Sequence, residues 1–277
     1  MEVSKENAKT IVNAFNHITC DAFSPGVKDF AAGLDFFKQL REDSNFDYVS
    51  CNIKDTNKEL LLQPYKIISH EGFSIGVIGA SSSFQNNQLY IENPFAAIQN
   101  TVKSLEGKCD FIVLLFSCSD SDYIKLNTLS DNLGVDFIVR GNTRRKSTDG
   151  GKGRSPIYST GDRGKVVYQF DLKYKDKDSP LIDIAFYEKS IQGNQKRINK
   201  MISNPGSEDK ILTYEQNIQL SNSIIEKAQN TLQFKSVTLN KMIDDNPYVL
   251  KIVDAGKNKI IDMGGPSILD PHYGHKH

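Results

Sequence analysis

Excess charge is the first thing this sequence lacks. Over 277 residues, 34 Lys and Arg are matched by 34 Asp and Glu. Without net charge there is no long-range field to gather nucleic acid or an anionic membrane, so neither partner is expected, and any anion site has to be a local patch. Long apolar runs are missing too. The longest, Phe111-Ile-Val-Leu-Leu-Phe116, falls far short of the ~20 residues that cross a bilayer and reads as a buried strand. Met1 is followed by Glu-Val-Ser-Lys-Glu-Asn-Ala-Lys9, polar and helix-prone, where a signal peptide would show basic residues and then an apolar stretch. None is expected in this chain. The four cysteines, at 20, 51, 109 and 118, form no CxxC pair and no zinc spacing. As ends of one strand, Cys109 and Cys118 would lie roughly 30 Å apart, whereas a disulfide needs about 7 Å. The cysteines read as small buried hydrophobes. Gly150-Gly-Lys-Gly153 lacks the spacing of a phosphate loop, and no serine sits in a GxSxG elbow. No internal repeat or low-complexity tract is present.

What is there alternates. Ala8, Ile11, Val12, Phe15 and Ile18 share a helical face, as do Phe30, Leu34, Phe37 and Leu40. Residues 20–23 and 47–53 read as strands. Residues 65–69 and 73–79 flank His70-Glu-Gly72 as a hairpin. Pro94 opens a helix to about Leu105, since proline suits a first turn. The apolar strand, a helix over 121–133 and a strand at 135–139 follow. Asp120 and Asp122 suit the start of that helix, where acids favour the dipole. Strands at 156–159 and 165–173 are expected to pair antiparallel. Short connections between strands and helices imply an α/β fold. Beyond the polar break Lys173–Ser179 the pattern turns mostly helical, over 183–203, 208–230 and 247–260, with one strand at 233–239. The expected organisation is a domain over 1–175, a helical extension over 176–263 and a tail over 264–277.

Several blocks, in order, carry a family resemblance. Asp21-Ala-Phe-Ser-Pro-Gly-Val-Lys-Asp-Phe-Ala-Ala-Gly-Leu34 resembles DAxxxGNHEFDxGL. Ser50-Cys-Asn-Ile53, Pro64-Tyr-Lys-Ile67 and Ile75-Gly-Val-Ile-Gly79 resemble a SANI…PYKI…IGVIG run. Asp110–Ser117 is similar to DxIIxLSH, and Val135–Arg144 to IDxIIGGHTH. These are blocks of the calcineurin-like metallophosphoesterases in the 5′-nucleotidase branch, covering residues 8–175. The resemblance implies a layered α/β/β/α sandwich, incomplete at its N-terminus.

That family works with two divalent metals bridging an attacking water. Position by position, its metal-binding Asn falls on Val27 and its catalytic His on Lys28. The strand-end His falls on Ser117, or on Cys118, and the paired His fall on Asn142 and Arg144. Valine has no lone pair, and lysine and arginine are cations. The Asp-x-His and Gly-Asp motifs have no counterpart in this sequence. The expectation is therefore a non-catalytic binding or scaffold module with no cofactor. A metal-dependent 5′-nucleotidase is the alternative. A second alternative is a sensor that holds a phosphate-containing small molecule with Lys28 and Arg144, near Asp29, Arg140, Arg145 and Lys146. The competing reading of Lys28 and Arg144 is a salt bridge to Asp29 or another local acid. Gly26-Val-Lys-Asp29 also resembles the Gly-Glu-Lys-Asp of relatives joined to cytochromes. That implies a periplasmic or cell-surface protein with a cytochrome or another envelope partner, although no CxxCH haem motif occurs here. His272, His275 and His277 form a His-rich tail of the kind that can hold transition metals.

Overall fold

The computed structural model describes residues 1–151 and 153–265. In chain order they form α1 (Glu2–His17), β1 (Ala22–Phe23), a 3-10 turn (Val27–Phe30), α2 (Leu34–Glu42), β2 (Asp47–Tyr48), β3 (Ile53–Lys54), β4 (Tyr65–His70) and β5 (Phe73–Ser81). Next come β6 (Tyr90–Ile91), α3 (Pro94–Leu105), β7 (Phe111–Ser117), α4 (Asp120–Leu129), β8 (Phe137–Gly141) and β9 (Ile157–Tyr158). Then follow β10 (Val166–Lys173), β11 (Leu181–Asp183), α5 (Ile184–Met201), α6 (Glu208–Lys227), β12 (Asn230–Thr238) and α7 (Pro247–Asp262).

Local chemistry sets several of these limits. Pro94 opens α3 because its missing N–H is not needed there, and the Asn93 side chain accepts from the Phe95 and Ala96 N–H groups. The β4–β5 hairpin turns at Glu71 and Gly72, both at positive φ (48° and 83°) as a two-residue hairpin turn demands. Gly79 in β5 lies so close to the next segment that a Cβ would sit 2.0 Å from the Val49 carbonyl oxygen. The glycine that closes the IGVIG block is thus a close-approach residue.

The main sheet runs β4-β5-β7-β8-β9, with β4 antiparallel and the rest parallel. One face packs Ile78, Leu114, Phe116 and Ile138 against Ile98 and Leu105 of α3 and Leu126 of α4. The other face packs Phe111, Phe137 and Tyr158 against a second sheet, β10-β12-β11, through Leu181 and Leu232. Ring contacts bind the two sheets, with Tyr158–Phe234 and Phe137–Phe170 each at 4.8 Å. α5 lies against β12, with α6 packed on α5. The layers are α/β/β/α, as the resemblance implies. A smaller aromatic core of Phe30, Phe37 and Tyr48 gathers α2, β2 and the 3-10 turn. α7 returns to α1, where Gly256 meets Thr10 and Lys259 pairs with Glu6 at 3.2 Å.

Several expectations need correcting. The strands near 157 and 166 do not pair with each other: β9 lies parallel to β8, whereas β10 pairs antiparallel with β12. Gly161 and Gly164, both at positive φ, turn the chain from one sheet to the other. The strand expected over 47–53 is two short strands, because Ser50 and Asn52 leave the ladder as buried residues. The helix expected to 133 ends its α-helical part at Leu129 and continues as a 3-10 turn, Ser130–Asn132. The division at residue 175 stays an expectation; that residue lies in the connection between β10 and β11, both of which pair with β12. The histidines 272, 275 and 277 and Lys152 lie outside the described residues. No helix among the described residues is long and apolar enough to cross a membrane.

Candidate functional site

The parallel strands finish in a row. Ser81 of β5 pairs in register with Ser117 of β7, and Ser117 with Gly141 of β8. The C-terminal edge of such a sheet is where α/β folds hold ligands. Here the loop after β1 folds onto it: a Cβ on Gly26 would lie 2.1 Å from the Ser117 hydroxyl oxygen. The glycine of the GxKD segment is required by that contact. Of the two positions left open by the sequence, Ser117 is the one at this mouth. Cys118 is fully buried in the helix-side core, and burial pushes its thiol up to about 12.

The Gly26 N–H donates to the Asp29 carboxylate at 2.7 Å, closing the 3-10 turn. Burial raises the Asp29 pKa, and backbone N–H bonds and the charge of Lys28 oppose the shift. Val27 is 42% exposed and Lys28 is exposed. Across the row, β8 ends at Gly141 and Asn142. Asn142 adopts a positive φ of 55°, which asparagine tolerates better than most residues. Arg144 is exposed and leans on Asp162 at 3.7 Å. Its acid is therefore Asp162 in the β9–β10 connection, not Asp29, and Lys28 forms no ion pair with Asp29. Arg145 and Lys146 are exposed. This loop is laced to the β9 exit, where the Arg145 carbonyl accepts from the Ser159 hydroxyl at 2.8 Å and Lys146 bridges Thr160.

Arg140 turns the other way. Its side chain is only 3% exposed, it reaches Asp120 at 2.5 Å, and its guanidinium lies 3.8 Å from the Tyr123 ring centre. It anchors the start of α4 instead of serving the mouth. Sequence reasoning also missed a polar cluster beside it. The Ser82 hydroxyl donates to Asp122 at 2.6 Å and accepts from the Ser119 N–H at 2.9 Å. Asp122 gave a helix-start signal only, because its partner follows a strand far away in sequence. The mouth thus presents one hydroxyl, one amide and several cations. Such a set can receive an anion, and the carboxylate beside it, Asp29, is engaged by the Gly26 N–H.

No family model matches the sequence, and no curated protein matches it. Solved structures do. A 5′-nucleotidase precursor from Thermus thermophilus matches with a TM-score of 0.63 and 14% identity, over 93% of this chain and 47% of that one. A putative 5′-nucleotidase from Staphylococcus aureus, in complex with alpha-ketoglutarate, gives 0.60 and 14%, over 91% and 44%. A calcineurin-like phosphoesterase from Bacillus subtilis gives 0.51 and 20%, over 64% of each chain. The chain thus spans less than half the length of the first two. These neighbours correct the expectation of no cofactor, because phosphoesterases and 5′-nucleotidases of this kind use divalent metals. The residues here do not fit that group: among the described residues no three His, Cys, Asp or Glu gather as ligands, and Val27 and Arg144 stand at ligand positions implied by the resemblance, with Lys28 at that of the catalytic His. No chemical step is assigned to a metal. The fold is that of the calcineurin-like metallophosphoesterases, in the form found in 5′-nucleotidases.

Proposed function

We propose that this metallophosphoesterase-fold chain is a non-hydrolysing module that acts by binding, as a scaffold or as part of an assembly. One observation carries the reading. At the row of strand ends, the positions that the resemblance gives to metal ligands and the catalytic base hold Val27, Lys28, Ser117, Asn142 and Arg144. A methyl-bearing side chain and two cations neither coordinate a metal nor deprotonate water. The carboxylate beside them, Asp29, is already held by the Gly26 N–H. The test is turnover of AMP and of an aryl phosphate with Mn²⁺ supplied. The reading expects none above background, whereas saturable turnover abolished by a chelator returns the chain to the nucleotidase alternative named by its structural neighbours.

A phosphate sensor using Lys28 and Arg144 is a narrower form of the same proposal. The exposure of both cations supports it. Calorimetry with AMP tests it, and binding unchanged in Lys28→Ala excludes it. A partner in an envelope assembly, such as a cytochrome, belongs to the proposal as well. The exposed apolar residues Met242 (90%), between β12 and α7, and Tyr248 (67%), in the first turn of α7, support an interaction role. A periplasmic or cell-surface location rests on the resemblance and on a neighbour described as a precursor, and cell fractionation decides it.

A further inference from the structure

We propose that the cavity beneath α1 binds a free single-tailed amphiphilic anion, of the fatty-acid type, with Lys28 holding its head. The cavity measures about 500 Å³, within the range of small-molecule sites. It lies between α1, α2 and the β1 strand, and its walls are aromatic and aliphatic: Val12, Phe15, Phe23, Phe36, Phe46 and Tyr48. α1 reaches the core through Val12 alone, while Ile11 and Phe15 keep 55% and 40% of their surface exposed. An amphipathic helix normally packs that stripe against the protein. Here the stripe faces unfilled space, and Ile11 and Phe15 also line a second cavity of about 300 Å³ beside α7. Two cavities flanking one apolar stripe suit a chain-like tail better than a compact ring.

The charge at the cavity selects the head group. Lys28 and Asp29 are the charged side chains of the lining. Asp29 is engaged at 2.7 Å by the Gly26 N–H. The Lys28 ammonium makes no hydrogen bond or ion pair among the described residues, and it stands one residue beyond Val27, which follows the buried Gly26. Asp29 is tied to the Gly26 N–H, whereas the Lys28 ammonium has no ion-pair partner and can hold a single negative charge as a point charge. The rest of the wall is mostly apolar, with Ser4, Cys20 and Tyr48 as its remaining polar side chains. The inference shares Lys28 with the phosphate-sensor form of the proposed function but uses no residue at the ends of β7 or β8; AMP binding and hydrolysis assays test that function and not this cavity.

Calorimetric titration of the full chain with dodecanoate is the test, with dodecanol as the neutral probe. The expected result is one dodecanoate bound per chain. Lys28→Ala should weaken dodecanoate by about tenfold and leave dodecanol unchanged. Ala8→Phe, which fills the cavity from α1, should abolish both, with circular dichroism confirming the native fold. Because Lys28 is exposed, Lys28→Ala keeps the test valid even if Ala8→Phe misfolds. The inference is overturned if native protein shows no saturable binding, or if Lys28→Ala binds dodecanoate as wild type does. It is equally overturned if only anionic vesicles bind, or if sedimentation shows a second copy of the chain closing the cavity.

Discussion

At the scale of single residues, much of this chain's order comes from buried amides and glycines. Asn52 is fully buried. Its side chain donates to the Ser81 carbonyl at 2.7 Å and the Glu92 carbonyl at 2.9 Å, and accepts from the Ser81 N–H at 3.0 Å. Asn52→Ala leaves those backbone groups without partners and should cost about 3 kcal/mol in urea unfolding. The thiols give a second expectation. Cys51 and Cys118 are buried, which pushes each up to about 12. At pH 8 they should resist alkylation in native protein and react only after unfolding. A third concerns pH. Asp110 accepts from the Ser74 N–H at 2.7 Å and the Ser74 hydroxyl at 2.6 Å, and these bonds lower its pKa from 3.8. A lowered acid stabilises the fold above its unfolded value and loses that contribution as pH falls through its folded value. The stability gap between wild type and Asp110→Asn should therefore be present at pH 6 and close below about pH 3.8. A gap that widens in acid contradicts this.

At the scale of elements, local chemistry was legible and distant pairing was not. α3 starts at Pro94 and ends at Leu105 as its spacing implies, and the β4–β5 hairpin turns where His70-Glu-Gly72 implies. Both are written in neighbouring residues. β10 shows the opposite case. Its alternating burial marks a strand with one face on the core, but its partner β12 lies beyond α5 and α6, and no local pattern names it. The candidate site divides in the same way. Block order placed Ser117, Asn142 and Lys28 near one sheet edge. The inward turn of Arg140 and the pairing of Arg144 with Asp162 depend on three-dimensional neighbours that sequence spacing does not encode. Gly79→Ala tests the element scale. The new Cβ would lie 2.0 Å from the Val49 carbonyl oxygen, a backbone atom that cannot swing aside. β5 should shift, and stability should fall by about 2–4 kcal/mol.

At the scale of the whole molecule, two sheets share one core. Leu232 of β12, 2% exposed, packs with Phe111, Phe137 and Tyr158 of the main sheet. Leu232→Ala should cost about 3 kcal/mol through the cavity it leaves. A joint shift of both halves in unfolding would mark residues 176–263 as part of one cooperative unit, and a shift of that segment alone would mark a separate domain at residue 175. The strand ends of this fold carry Ser117 and Asn142, with Val27, Lys28 and Arg144 on the adjoining loops, and that combination is the basis for the proposed binding role. The direct measurement is AMP hydrolysis by purified protein supplied with Mn²⁺, with and without chelator. The account predicts a rate equal to the protein-free blank in both cases; saturable turnover that the chelator removes and that Asn142→Ala diminishes would contradict it.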